Sequence, residues 1–307
     1  MKVIDLCAGV GGVRLGFDRA FNGIECALTA EIDKYAQQTY AANWGGDNLE
    51  GDLFAIDENK VPDHDILLAG FPCQAFSKAG LKLGFEDVRG TVFFEILRII
   101  RAKKPRVLFF ENVPELLTHD KGKTFKTIYG LLEAEGYNVF YQRLNTKDFG
   151  LPQRRERVFI VCFLDDVFFS FPVPPRTPTR VGDILEDADD SFTLSDNAWK
   201  GFRERKERNK ANGKGFGYQA VTRDSTHTGT ITAQYWKDGV QCLVLQDGKN
   251  PRRLTPRECF RLQGFPDSFI IPESKKQAYK QAGNSVSIPV IEAIAKQIRK
   301  VLCLTTD

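Results

Sequence analysis

A short apolar run that breaks off in a Gly-Phe-Pro-Cys-Gln turn, inside the stretch His64 to Ser77, narrows the possible architectures of this chain sharply. Ile66 to Ala69 is wholly apolar, which suits a buried strand, and Gly70 and Pro72 then end it. In open parallel α/β sheets the ligand crevice lies beyond the carboxyl ends of such strands. Cys73 falls at that edge. A thiol there can face a substrate while its backbone stays anchored, or it can be the small buried hydrophobe that a free cysteine usually is.

The N-terminal half repeats the pattern of strand, turn and helix. Lys2 to Leu6 reads as a strand running into Cys7-Ala8-Gly9-Val10-Gly11-Gly12, with a helix starting near Val13. Glycines at such a turn let a ligand approach the backbone at the positive end of a helix. A dinucleotide fingerprint would place its third glycine at position 14, where the chain has Arg14, so a tight structural turn stays open as the alternative. Ile24 to Ala30 reads as a second strand ending in Glu31, where a βαβ carboxylate commonly hydrogen-bonds ribose hydroxyls. Gly51-Asp52 offers another acid at a turn, suited to an adenine amino group. Each acid alone is an ordinary loop residue. Their succession at strand ends points to an adenosine-bearing ligand.

Further on, Gly80 to Arg89 is glycine-dotted and charged, as suits a segment that moves over a site. Thr91 to Ala102 patterns as a helix and Arg106 to Phe110 as a strand, with Glu111-Asn112-Val113 following at the sheet edge. A carboxylate there is a candidate general acid, more so if burial raises its pKa. A helix from about Thr124 to Glu135 and the segment Tyr137 to Leu144 precede Gln153-Arg154-Arg155-Glu156-Arg157. These arginines open the strand Val158 to Phe163 instead of lying along a helix, so some can point into a site.

Composition sets the outer limits. With 307 residues, 42% hydrophobic and 27% charged, the chain reads as an ordinary globular protein with one large domain and a smaller one. A net charge of +3 permits a nucleic-acid partner without requiring one. Seven scattered cysteines without a C-x-x-C pair argue against a zinc site or a disulfide framework, and for a reducing compartment. Asp5 and Arg14 interrupt any leader-like start, and no apolar run reaches membrane-spanning length, so a cytoplasmic location is expected.

Taken together, the motifs resemble, in the family's order, those of the cytosine-5 DNA methyltransferases of bacterial restriction-modification systems. The matching segments are Asp5 to Gly12, Gly70-Phe71-Pro72-Cys73-Gln74, Glu111-Asn112-Val113, Gln153 to Arg157, Arg253-Leu254-Thr255-Pro256-Arg257-Glu258 and Gly283-Asn284-Ser285-Val286. The resemblance spans nearly the whole chain apart from roughly Arg176 to Asn250. It implies a doubly wound, mostly parallel α/β sheet, the class I S-adenosylmethionine-dependent methyltransferase fold, with a smaller inserted target-recognition domain. The expected division is 1–175 with 270–307 for the catalytic domain, and 176–269 for recognition.

By the same resemblance, Cys73 adds to carbon 6 of a flipped cytosine, Arg155 and Arg157 favour its thiolate, Glu111 binds ring nitrogen 3 and the amino group, and Arg157 holds the ring oxygen. The methyl donor S-adenosylmethionine is expected at Asp5, Cys7, Ala8, Gly9, Gly11, Glu31, Ile32, Asp52, Leu53, Pro72, Asn284 and Val286. Family members often carry aromatics where Cys7 and Ile32 stand, so somewhat weaker donor binding is expected. Gln74, Ser77 and Arg89 lie on the loop that closes over the flipped nucleotide in relatives, and Thr232 and Arg253 are candidate DNA contacts. No metal is expected. The implied partners are double-stranded DNA and, functionally, a restriction endonuclease, with the enzyme a monomer.

After Phe171 to Pro175 the chain changes character. Trp199 to Lys214 holds seven Lys or Arg against two Glu, net +5, which is a solvated face by default and a phosphate contact beside a DNA-modifying core. Gly215 to Asp238, rich in Gly, Thr and Tyr, is the expected base-reading region. Pro289 to Leu302 sets Ile291, Ile294, Ala295, Ile298, Val301 and Leu302 on one stripe, a helix that packs back on the sheet. Two rivals remain. A tRNA methyltransferase of the same fold would have a reduced recognition region, against which the long basic insert counts. A dinucleotide oxidoreductase would lack a reason for the arginine cluster.

Overall fold

A computed structural model describes residues 1–72, 92–215 and 217–304. By compactness the chain forms two units, Met1–Leu144 with Glu156–Val173 and Ile288–Asp307, and Asn145–Arg155 with Pro174–Ser287. The second differs from the 176–269 read from the sequence: it also takes in Asn145–Arg155, whose Gln153 and Arg155 are hydrogen-bonded within it, and runs on to Ser287.

The first unit is built on a seven-stranded sheet. Its strands in chain order are β1 (Lys2–Leu6), β2 (Glu25–Ala30), β3 (Leu49–Glu50), β4 (Ile66–Ala69), β5 (Val107–Asn112), β6 (Asn138–Asn145) and β7 (Glu156–Phe163). They lie in the order β3-β2-β1-β4-β5-β7-β6. The chain therefore winds outward from β1 to β3, then restarts beside β1 with β4, which puts the topological switch point between β1 and β4. The first five strands in chain order pair parallel to one another, whereas β5 and β7 are antiparallel. β4 is fully buried, as its uniform apolar run requires.

Helices α1 (Gly12–Phe21), α2 (Lys34–Trp44), α3 (Val92–Lys103) and α4 (Lys123–Ala134) flank this sheet together with the closing helix Ile288–Leu304. On one face, Ile96, Leu97 and Ile100 of α3 and Ile128 and Leu132 of α4 join Ile4, Leu6, Leu67, Leu108, Phe110 and Ile160 in a single core. Elsewhere in the unit α1 packs along the closing helix. A Cβ on Gly16 would lie 2.4 Å from Ile291 Cγ2, so that approach needs glycine. Ile291, Ile294, Ala295, Ile298 and Leu302 are buried and Val301 is half-buried, which bears out the stripe. Each fully buried aliphatic side chain of this kind contributes about 1.5–3 kcal/mol.

One boundary differs from the sequence reading in a way that matters. The strand expected to stop at Phe110 continues through Glu111 and Asn112, which pair with Phe159 and Val158 of the antiparallel β7. Glu111 is thus a rigid strand residue.

The second unit holds a three-stranded sheet of β8 (Ala220–Val221), β9 (Leu243–Gln246) and β10 (Lys249–Arg253). Buried Arg252 donates to both carboxylate oxygens of Glu258, at 2.7 and 2.8 Å. Glu258 also closes a capping box with Thr255 at the start of helix Pro256–Arg261. Arg257 donates to the Phe269 carbonyl at 3.0 Å. The Arg253-to-Glu258 motif is in this respect an organiser of its own unit.

Candidate active site

Residues singled out in the sequence stand at two places along one end of the first unit's sheet. At the first, the end of β5 places Glu111 opposite Arg157 of β7, with Glu111 Oε1 3.1 Å from Arg157 Nε. The two side chains are only 12% and 17% exposed. Oε2 of Glu111 comes within 3.9 Å of where a Cβ on Gly70 would sit. The next residue, Asn112, donates from Nδ2 to the Phe71 carbonyl at 2.8 Å, and the Phe71 ring is buried between Phe93 and Phe110. The Gly70-Phe71-Pro72 turn is therefore tied to the Glu111 strand by one hydrogen bond and an aromatic cluster, and Pro72 is exposed at that edge. Cys73, Gln74, Ser77 and Arg89 lie outside the described residues.

At the second, β1 ends in a turn with Cys7, Gly9 and Gly11 all at positive φ. Ala8 N–H donates to the Ala30 carbonyl at 3.1 Å, and Gly9 N–H to Glu31 Oε2 at 2.7 Å. The other oxygen of Glu31 accepts from Asp33 N–H at 2.7 Å, so the carboxylate is fixed at the end of β2. A Cβ on Gly9 would meet nothing within 4 Å, whereas one on Gly11 would collide with the Trp44 indole at 2.3 Å. The turn is thus tight on the Trp44 side and open at Gly9. Ile32 is 74% exposed and Phe54 47% exposed, unusual for large apolar side chains, while Leu53 is buried. Asp52 caps the short helix Leu53–Ala55, accepting from Phe54 N–H at 3.0 Å.

Asp5 lies beneath this turn, fully buried, and neither carboxylate oxygen has a hydrogen-bond partner among the described residues. Burial pushes its pKa up to about 7, against the attraction of Arg14 and with the repulsion of Glu31. Arg14 stacks over Trp44 at 4.6 Å and donates to the Tyr40 hydroxyl at 2.8 Å, which shares a 2.8 Å hydrogen bond with Thr29 Oγ1. The sequence reading did not single out this buried polar cluster. Its one visible signal was Arg14 standing where a third glycine would be.

The arginine cluster divides its labour. Arg154 is exposed, and Arg157 faces Glu111. Arg155 is buried in the second unit, where it donates to the carbonyls of Ile231 at 3.1 Å, Gly283 at 3.2 Å and Ser285. It ties the Ile231 segment to the Gly283–Ser285 segment, a role the sequence reading had not assigned it. Gln153 does likewise, donating to the Leu262 carbonyl and accepting from Ile231 N–H. Gly283 has Thr232 backbone 2.1 Å from its would-be Cβ, so that motif glycine permits a close backbone crossing. Asn284 and Thr232 are exposed and Val286 is buried; Arg253 packs on Gly239 and reaches the Trp236 carbonyl at 3.4 Å.

Among the described residues no His, Cys, Asp or Glu cluster could hold a metal, and no helix is long and apolar enough to cross a membrane. Burial and the Glu31 and Asp5 carboxylates push Cys7 up to about 12, and burial does the same to Cys242. Cys162 and Cys259 are also raised by burial.

A carboxylate–arginine pair, the tethered Gly70–Pro72 segment and a glycine turn thus stand at strand ends of the first unit's sheet. Residues 1–300 match the family model of C-5 cytosine-specific DNA methylases, and the chain belongs to that family, as a DNA (cytosine-5-)-methyltransferase. It is 54% identical over 308 residues to the Type II methyltransferase M.NlaX of Neisseria lactamica, covering all of this chain and 98% of that one. It is 53% identical to the Type II methyltransferase M1.ScrFI of Lactococcus lactis subsp. cremoris, covering 98% of this chain and 78% of the other. In fold, it matches the S. pombe Dnmt2 methyltransferase at a TM-score of 0.80 and 20% identity, over 98% of this chain and 99% of that one. The Entamoeba histolytica methyltransferase EhMeth gives 0.79 at 22% identity, over 100% and 99%. The full-length sequence matches favour the DNA reading over the tRNA one.

Proposed function

We propose that this enzyme methylates carbon 5 of a cytosine within one short duplex sequence, using Cys73 as nucleophile on a base flipped out of the helix and S-adenosylmethionine as donor. The observation that carries this reading is the Glu111–Arg157 pair beside the Gly70–Pro72 turn. A half-buried carboxylate next to a guanidinium suits the edge of a cytosine, where nitrogen 3 and the amino group meet Glu111 and the ring oxygen meets Arg157.

The reaction begins when the Cys73 thiolate bonds to carbon 6 and the ring electrons shift toward carbon 5, with Glu111 supporting protonation at nitrogen 3. After carbon 5 is methylated, its proton leaves, the carbon 6–sulfur bond breaks and the thiolate is restored. Five of the described cysteines, Cys7, Cys26, Cys162, Cys242 and Cys259, have raised pKa values, which makes them poor rivals for this role. Arg155 and Arg157 would favour the Cys73 thiolate, Arg155 while it also braces the carbonyls of Ile231, Gly283 and Ser285.

The β1 edge fits S-adenosylmethionine by its own features: an open cradle at Gly9, an orphaned buried carboxylate at Asp5, and an exposed apolar Ile32. When bound, the donor supplies an electrophilic methyl group on a sulfonium. Asp5 and the Cys7, Ala8, Gly9 and Gly11 backbone would hold its methionine end. Glu31 would hold the ribose, and Ile32, Asp52 and Leu53 the adenine. Pro72, Asn284 and Val286 would complete the site. Gln74, Ser77, Arg89, Thr232 and Arg253 would contact DNA, the last two from a recognition domain at about 176–269. The enzyme would act as a monomer in the bacterial cytoplasm, at the nucleoid when bound to DNA, and protect host DNA from a paired restriction endonuclease.

The test is transfer of labelled methyl from S-adenosylmethionine to unmethylated bacterial DNA and to tRNA, wild type beside Cys73→Ser, with sites mapped by bisulfite sequencing. Label at one short DNA motif, lost in the variant, is the expected result. Label on tRNA alone, or on neither, would overturn the proposal.

A further inference from the structure

The basic run Trp199–Lys214 forms most of helix Asp196–Ala211, which has no fully buried residue. A helix this polar all round packs little against its own protein and is suited to a charged partner. Its cations are not equivalent. Lys200 lies 3.9 Å from Glu204, and Arg205 lies 3.6 Å from Asp238. Glu204 and Glu207 are exposed; Glu207 stands at i+4 from Arg203 and three residues before Lys210, yet forms no ion pair with either among the described residues. Arg203, Lys206 and Lys210 follow one another at i, i+3 and i+7, which puts them on one flank with no carboxylate in ion-pair range among the described residues.

That flank is also pre-shaped. The Arg203 guanidinium sits 5.5 Å from the Trp199 ring centroid, and the Lys206 ammonium 4.2 Å from that of Tyr218. Trp199 and Tyr218 pack edge to face at 4.8 Å. The stem of Lys206 crosses Gly217, whose would-be Cβ lies 2.9 Å from Lys206 Cγ. Aromatic seating limits the rotamers these long side chains lose on binding.

We propose that Arg203, Lys206 and Lys210 form a stripe that grips the phosphate backbone of double-stranded DNA and fixes the register of the second unit on its target. The proposal rests on the DNA reading above. From 203 to 210 the helix rises about 10 Å, and one DNA strand presents a phosphate about every 3.4 Å of axis, so three cations face about three phosphates. Such contacts position without reading sequence.

The experiment compares two pairs that each remove two positive charges from exposed positions of the same helix: Lys206→Gln with Lys210→Gln, and Lys200→Gln with Arg208→Gln. Binding to an unmethylated duplex carrying the mapped motif is measured by fluorescence anisotropy across a salt series. Each lost phosphate contact lowers the slope of log K against log salt by about 0.9, so the stripe pair is expected to lower it by about 1.8 and the other pair by less than about 0.5. The methylated motif is expected to stay the same in both. Equal slope changes in the two pairs, no change in the stripe pair, or an altered motif would each overturn the stripe. Failure of the wild type to bind or methylate duplex DNA would instead sink the functional reading itself.

Discussion

Glu111 and Arg157 meet at 3.1 Å with their side chains largely out of water, and that desolvation gives the pair its consequence. A carboxylate that supports protonation in the transition state typically contributes 10²–10⁴-fold, so Glu111→Gln is expected to lower kcat by about that factor with DNA affinity little changed. Steady-state kinetics beside equilibrium binding separate the two, and an unchanged kcat would remove Glu111 from the chemistry. Asp5 makes a different prediction. Its pKa in the folded protein is raised to about 7 from an ordinary carboxyl value near 4, so its stabilising contribution is full below about pH 4 and is lost as pH rises through about 7. Asp5→Asn cannot ionise, and is therefore expected to gain stability relative to wild type between pH 5 and pH 8. Melting temperatures at the two pH values check this; a constant gap would contradict it. Glu111 was legible as a candidate from its place after an apolar run, whereas Asp5 was named as one only through the resemblance of its motif. The bracing role of Arg155 was not legible, because its carbonyl partners lie 76, 128 and 130 residues further along the chain.

Strands were easier to read than their pairings. Lys2–Leu6 and Ile66–Ala69 fall where apolar runs bounded by Gly and Pro put them. Nothing local told that β7 would run antiparallel beside β5, and so the strand bearing Glu111 was cut short at Phe110. The closing helix was legible from its 3.6-residue stripe and α1 from the glycine turn before Val13, although their packing against each other was not. The contact between them turns on Gly16: an added methyl would sit 2.4 Å from Ile291, and overpacking of this kind costs about 1–3 kcal/mol. Gly16→Ala is expected to lower stability by that amount in urea unfolding. A neutral result would mean the helices can slide apart freely. In the second unit, Arg252 and Glu258 are 6% and 0% exposed, and removing one partner strands a buried charge. Arg252→Met is expected to cost about 3–5 kcal/mol, read as early loss of the second unit's structure on heating.

At the scale of the molecule, the first unit carries a doubly wound sheet, with the glycine turn at the end of β1 and the Glu111–Arg157 pair at the end of β5, and the second unit carries the basic helix. The compact units do not follow the bounds expected from the order of motifs, and contacts such as those of Gln153 cross long sequence distances within the second unit. The proposed chemistry turns on a bond between Cys73 and carbon 6, and such a bond would be open to trapping. A duplex carrying 5-fluorocytosine at the mapped site has fluorine where the departing proton would be, so elimination stops and the enzyme stays attached. With S-adenosylmethionine present, wild type is expected to form a denaturation-resistant protein–DNA adduct that maps to Cys73, and Cys73→Ser none. Absence of the adduct, or its persistence in the variant, would contradict nucleophilic catalysis by Cys73.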